Sequence, residues 1–187
     1  LHNYESKVIY YRFITKNKIN HYSFFWLVIV AILIATVLYP LARTHPNAYI
    51  WNQYVRKYTG ANLFSGRDRL WLDLIGLIME KPFLGYGASA LPRHCFSTTL
   101  SAHNLYLQIS LQVGFIGLAV LILLFFNIWK LFYYGKDKLS VRVTGAFFIG
   151  SLIYQSAEVS MTQNNLAIGL VIWLVIGIGI SKSLEKG

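Results

Sequence analysis

Residues Phe24–Leu41 read FFWLVIVAILIATVLYPL and carry no formal charge. As an α-helix that stretch covers about 27 Å, close to the hydrocarbon thickness of a bilayer. A secretory signal would have a shorter apolar region and a small-residue cleavage site. The stretch therefore decides the class, an all-α integral membrane protein. Three more stretches follow. Cys95–Trp129 lacks Lys, Arg, Asp and Glu, and its strongly apolar part begins near Ile109. Val143–Ala157 is shorter and carries Ser151, Tyr154 and Gln155. Leu166–Ile180 lies within an uncharged run from Val159 to Ser181. The expectation is a bundle of about four transmembrane helices.

Composition agrees. Of 187 residues, 56% are hydrophobic and 13% charged, where a soluble domain has about 25% charged. Mean hydropathy is +0.49. These values exclude a disordered chain and disfavour a soluble enzyme. The single cysteine, Cys95, excludes an internal disulfide framework and a cysteine zinc site. The net charge of +10 would suggest nucleic acid in a soluble domain. In an apolar chain it reads as loop charge that orients membrane helices, with no nucleic-acid partner.

Charge placement predicts the topology. Lys7, Arg12, Lys16 and Lys18 precede the first span, Lys130, Lys136, Lys138 and Arg142 follow the second, and Lys182 and Lys186 close the chain. With four spans these segments share one side, the cytoplasm by the positive-inside rule. Residues 1–22 are then a cytoplasmic segment, 23–182 the membrane domain and 183–187 a cytoplasmic tail. The loop from about 42 to 103 is extracytoplasmic. It carries Arg43, Arg56, Lys57, Arg67, Arg69, Lys81 and Arg93 against Asp68, Asp73 and Glu80. Orientation does not need these cations, so an anionic ligand is expected there. Trp26, Trp129, Tyr133, Tyr134 and Tyr154 fall near span ends, where aromatic side chains anchor helices.

Within the loop, Ser65-Gly66-Arg67-Asp68 reads as a partial capping box with Ser65 at the N-cap. Apolar residues follow at Leu70, Trp71, Leu72, Leu74, Ile75, Leu77, Ile78 and Met79, with Arg69, Asp73 and Glu80 on one polar stripe. This predicts a short amphipathic helix ended by Pro82 and lying in the membrane interface. Arg67 falls in its first turn, where helix N-termini favour anions and a guanidinium can grip phosphate at two oxygens. The alternative for Arg67 is snorkelling to lipid headgroups. For Arg69 it is a solvated pair with Asp73 at i+4. Gly85-Tyr86-Gly87-Ala88 reads as a tight turn. His103 falls at the membrane surface, as catalyst or as structural residue. Asn104, Gln108 and Gln112 recur on one face of the second span, and Ser151, Gln155 and Glu158 on one face of the third. Such residues usually face a bundle interior or wet cavity. Glu158 could equally lie just outside its helix.

No nucleotide-phosphate loop, Rossmann glycine pattern or zinc-protease motif is present. No cofactor and no metal are expected. Arginine is the available electrostatic element.

Four segments together carry a resemblance: Ser65-Gly66-Arg67-Asp68-Arg69-Leu70-Trp71, Lys81-Pro82-Phe83-Leu84-Gly85-Tyr86-Gly87, Ala102-His103-Asn104-Leu105-Tyr106-Leu107 and Val113-Gly114-Phe115-Ile116-Gly117. In order and spacing the chain resembles the O-antigen ligase and polymerase family over roughly residues 20–182. The resemblance implies the C-terminal half of a bacterial plasma-membrane glycosyltransferase, multi-pass, with its active face extracytoplasmic. The donor would be a glycan on undecaprenyl pyrophosphate, and the acceptor a hydroxyl of glycan, lipid A-core or another molecule. The product would serve capsule, exopolysaccharide or lipopolysaccharide of the cell envelope. Carried over by motif, Arg67 faces the pyrophosphate and His103 is the required histidine. Arg69 and Asn104 are further substrate-binding candidates, with Gln108 and Glu158 weaker ones. The family's upstream arginine lies outside this sequence, so the chain alone is expected to be inactive. Two readings from other classes stay beside it. A polysaccharide exporter would use the polar stripes as a pathway, and a non-catalytic scaffold would tolerate loss of both Arg67 and His103.

Overall fold

The first span becomes α1 (His21–Ala42), capped by Asn20, whose side chain accepts from the Tyr22 amide. It opens a computed structural model that describes residues 20–95, 101–136, 138–162 and 166–185. The cations at Lys7, Arg12, Lys16, Lys18 and Lys186, used above to orient the chain, lie outside the described residues. After α1 come α2 (Ala48–Thr59), α3 (Arg67–Glu80), the single turn α4 (Pro92–Cys95), α5 (Leu105–Tyr134), α6 (Leu139–Tyr154) and α7 (Leu166–Leu184). No strand occurs among the described residues, as expected for an all-α membrane protein. Among the described residues, three helices are long and apolar enough to cross a bilayer: α1, α5 and α7. The fourth expected span, α6, has 16 residues and covers about 24 Å, less than a full hydrocarbon core.

Two clasped ends hold the bundle. At one, the His21 and Trp129 rings stack at 4.1 Å. Trp129 Nε1 donates to the His21 carbonyl at 2.8 Å, and His21 Nε2 lies 3.0 Å from the Trp129 carbonyl. Ser183 Oγ donates to the Leu131 carbonyl, and Lys138 Nζ donates to those of Lys182 and Glu185. The cations at 130–142 and Lys182 therefore gather at one end, as a set of antiparallel spans requires. Between the ends, Phe25, Ile29, Phe125, Phe148, Leu152 and Ile176 pack in a closed core.

The amphipathic helix expected after Ser65 is α3, with two corrections. Its N-cap is Gly66, at φ 92°, and Ser65 makes no capping bond. Asp68 instead reaches back, Oδ1 accepting from the Gly66 amide at 2.9 Å. Only glycine adopts that φ without strain, so the cap falls one residue later than a serine pattern suggests. Second, protein covers much of the apolar face of α3, while Met79 stays exposed. Leu70, Trp71, Leu74 and Ile78 are buried against Ala102, Leu107 and Leu111, with α3 lying across α1 and α5. Trp71 Nε1 donates to the Ala102 carbonyl at 2.7 Å. Arg69, Asp73 and Glu80 form the exposed stripe as expected, but Arg69 and Asp73 are not ion-paired.

α5 is broken at Gly114, at φ 68° and ψ −170°. The break frees the carbonyls of Leu111 and Gln112 and the amides of Phe115 and Ile116 from helical pairing. The loop after α3 takes up all four. Tyr86 and Gly87 donate to Leu111 and Gln112 at 2.8 and 2.9 Å, while Phe115 and Ile116 donate to Pro82 and Phe83 at 2.7 and 3.4 Å. A Cβ on Gly114 would stand 2.2 Å from the Phe83 oxygen, and one on Gly85 2.6 Å from the Gln112 carbonyl carbon. The 81–87 and 113–117 segments are thus one structural unit, in which backbone docks on backbone.

The break also sets direction. His21 and Thr36 are separated by about 22 Å of helical rise. Their partners on α5, Trp129 and Asn104, would be about 37 Å apart on a straight helix. Both pairs touch, so the segment before Gly114 runs aslant to the span after it.

Candidate active site

The second clasped end is built around Asn104. It caps α5, Oδ1 accepting from the Leu107 amide at 3.0 Å, while Nδ2 donates to Thr36 Oγ1 at 3.2 Å and the Ser156 carbonyl at 3.0 Å. The Leu105 amide donates to the Gln155 carbonyl at 2.9 Å. One buried asparagine thus ties α1, α5 and the segment after α6. Gln155 closes that segment, Oε1 accepting from the Ser160 and Met161 amides at 2.9 and 3.2 Å. Its Nε2 is buried without a hydrogen-bond partner among the described residues.

This frame presents Arg67 and His103 to neighbouring positions. Arg67 Nη1 donates to the Ala157 carbonyl at 3.3 Å. His103 Nδ1 lies 3.0 Å from Glu158 Oε1, each side chain a little over a quarter exposed. Glu158 lies beyond the end of α6, in the loop. In a neutral imidazole, a carboxylate facing Nδ1 favours the proton there and the lone pair on Nε2. His103 has φ +46°, the one non-glycine residue with positive φ among those described. Such a conformation costs an L-residue about 1–2 kcal/mol, and it recurs where geometry serves function. The Ser101 hydroxyl accepts from the His103 amide at 3.3 Å and supports the turn.

Beside Arg67 is an open cavity of about 310 Å³. Thr36, Tyr39, Ser65, Trp71 and Ser156 line it with Arg67 and Ala157. Arg67 uses one of its five N–H donors on Ala157, and the others have no hydrogen bond among the described residues. The α3 N-terminus does not itself invite an anion, because the Asp68 carboxylate already sits there. Asp68 is fully buried, and Arg43 Nη1 lies 2.8 Å from its Oδ2. The N–H is not well aimed at that oxygen, so the contact is an ion pair rather than a hydrogen bond. Arg43 thereby neutralises Asp68 and ties the end of α1 to α3. Arg67 and exposed Arg69 remain as the cations at this end of α3.

The other sequence candidates separate by geometry. Gln108 and Gln112 are buried and both donate to the Ala90 carbonyl, at 2.8 and 3.1 Å. Ser151 Oγ donates to the Phe147 carbonyl of its own helix. Gln108 and Gln112 on α5 and Ser151 on α6 therefore all spend their donors on backbone carbonyls. Asn104 directs every polar atom into the frame. Arg43 was missed as a partner of Asp68. Two residues at such separation that meet only through the fold leave no local signal.

A family model described as O-antigen ligase matches residues 8–122, more than half of the chain. Arg67, His103, Asn104 and the docked glycine unit fall inside the match, and Glu158 falls outside it. Neither the curated proteins nor the solved structures contain a match.

Proposed function

The chain belongs to the O-antigen ligase family, membrane enzymes of glycosyltransferase type acting on a lipid-linked glycan and a glycan acceptor, and from that premise we propose its chemistry in detail. The donor is a glycan on undecaprenyl pyrophosphate, and the acceptor a hydroxyl at the extracytoplasmic face of a bacterial plasma membrane. The product is a surface polysaccharide, either extended or attached to its anchor. His103 Nε2 takes the proton of the acceptor hydroxyl. The hydroxyl oxygen then bonds to C1 of the donor sugar while the C1–O bond to pyrophosphate breaks. Arg67 stabilises the negative charge that collects on the leaving pyrophosphate. Glu158 holds Nδ1–H and so keeps the imidazole in the tautomer this role needs. Asn104 positions His103 without touching substrate, and Arg69 supplies a further cation for the anionic lipid.

The observation that carries this reading is the convergence of Arg67 and His103 on Ala157 and Glu158, adjacent residues of one loop. A cation and a base so placed can meet opposite sides of one glycosyl–pyrophosphate bond. The test is Arg67→Lys in an active enzyme containing this chain, assayed with lipid-linked glycan. Lysine keeps the charge but loses the planar fork. Transfer should fall on the order of 10²–10³-fold, as for Arg67→Ala, with the protein still inserted. Near-normal transfer by the lysine variant would return Arg67 to headgroup anchoring.

A further inference from the structure

We propose that α2 lies flat in the headgroup region of an anionic bilayer leaflet, aromatic half toward the acyl chains and cations on lipid phosphates. The observations start with its pattern. Ile50, Trp51, Tyr54, Val55 and Tyr58 recur at helical spacing on one half, while Tyr49, Asn52, Gln53, Arg56 and Thr59 occupy the other, with Lys57 at the border and the Tyr49 hydroxyl accepting from Gln53 Nε2 at 2.6 Å. No residue of α2 is buried. Tyr58 is 75% exposed and Tyr54 59%, so the rings are not covering a protein core. Aromatic side chains with a polar tip are the ones that settle at a membrane interface.

Position supplies the second argument. α1 spans and ends at Ala42, and α2 begins at Ala48. Residues 43–47 extend at most about 18 Å, so α2 cannot leave the neighbourhood of the bilayer surface. His45 stacks on Trp51 at 4.6 Å and shortens the link further. At the other end, Gly60 turns the chain at φ 73°. Asn52 Oδ1 then accepts from the Leu63 and Phe64 amides, at 2.8 and 3.4 Å. The helix is held by both ends while its aromatic half stays open.

Charge selects the lipid. α2 contains Arg56 and Lys57 and no acidic residue. Lys57 Nζ stands 5.6 Å from the Tyr58 ring centroid, so the cation sits at the edge of the apolar half. That is the placement a phosphate above an acyl layer would meet, and each such cation favours an anionic surface about fivefold.

The test uses the whole chain in nanodiscs, with Cys95→Ser and a nitroxide placed at Tyr54→Cys or at Gln53→Cys. Collisions with oxygen report on acyl chains, and collisions with a soluble nickel complex on water. The label at 54 should favour oxygen and the label at 53 nickel. With phosphatidylglycerol added to phosphatidylcholine, the label at 54 should move deeper, and Arg56→Gln with Lys57→Gln should abolish that movement. Equal nickel access at 54 and 53 would overturn the placement, as would protection of 54 from both reagents. A depth at 54 indifferent to phosphatidylglycerol would overturn the lipid assignment.

Discussion

Replacing Gly114 with alanine isolates the docked unit on which the site stands. The residue has φ 68° and ψ −170°, a region that only glycine occupies freely and that costs other residues about 1–3 kcal/mol. The added Cβ would also stand 2.2 Å from the Phe83 oxygen and 2.6 Å from the Leu84 nitrogen. Both are backbone atoms, so no rotamer change relieves the clash and the 82–87 loop must move. At minimum the bonds from Phe115 to Pro82 and Ile116 to Phe83 are lost, at about 1 kcal/mol each. The expected destabilisation is about 3–5 kcal/mol, a large share of a typical 5–15 kcal/mol total. Gly177→Ala is the control. It lies within α7 with nothing within 4 Å of the new Cβ, so it should stabilise by about 0.8–1 kcal/mol. Denaturant titration of both variants in micelles, followed by circular dichroism, gives the comparison, and limited proteolysis should cut Gly114→Ala early within 82–87. Coincident unfolding midpoints for the two variants would refute the idea that this backbone docking holds the segment leading to His103.

His103→Gln should insert and bind donor lipid yet transfer glycan about 10²–10⁴-fold more slowly, because the amide cannot take a proton; wild-type turnover by a well-expressed variant would end the base assignment. Glu158→Gln keeps an acceptor for Nδ1 but removes the charge, so it should lose less than His103→Gln, and a larger loss would give Glu158 a direct role. In a Cys95→Ser background, an impermeant thiol reagent applied to intact cells should label a cysteine at Asn62 and not one at Arg142; the reverse would invert the topology. If Arg67 supplies the leaving-group stabilisation, activity of the full enzyme should persist in EDTA; loss restored by a divalent ion would give that role to a metal.

The spans were legible because a run such as 24–41 admits one solvent. The ends were less so. α6 stops at Tyr154, although the apolar reading runs on to Ala157, because the Gln155 side chain captures the Ser160 and Met161 amides in place of another helical turn. The apolar face of α3 is visible in sequence and its protein cover is not. Ala102, Leu107 and Leu111 reach it from the segment before the break at Gly114. α2 was absent from the sequence reading, since six aromatic or branched apolar residues among amides and cations resemble neither a span nor a core helix. In the site, Arg67 and His103 were named from motifs alone. Their shared loop at 157–158 was not legible, because it depends on where the third helix stops. Asn104 and Gln108 read as polar groups facing a bundle interior or a wet cavity, and both are buried. Packing directs them to backbone atoms that would otherwise be unsatisfied.

Depth links these features to the proposed chemistry. α1 continues about 9 Å beyond Thr36 before it ends at Ala42. Thr36 is held to Asn104, and Asn104 to Ser156, so the loop carrying Ala157 and Glu158 is set below the top of the first span. A short α6 and an aslant start to α5 both act in that direction. Irregular backbone at such depth is tolerated only where protein satisfies it. Gln155 and Asn104 do that for the segments on either side of the site. A pyrophosphate attached to a polyprenyl chain is confined to headgroup depth by its own lipid. Under the proposed chemistry, Arg67 would meet that phosphate without lifting the donor out of the membrane, and His103, held by the adjacent loop residue Glu158, would be reached by an acceptor from the aqueous side. Under that proposal, the frame around Asn104 is what sets the height at which the two reactants meet.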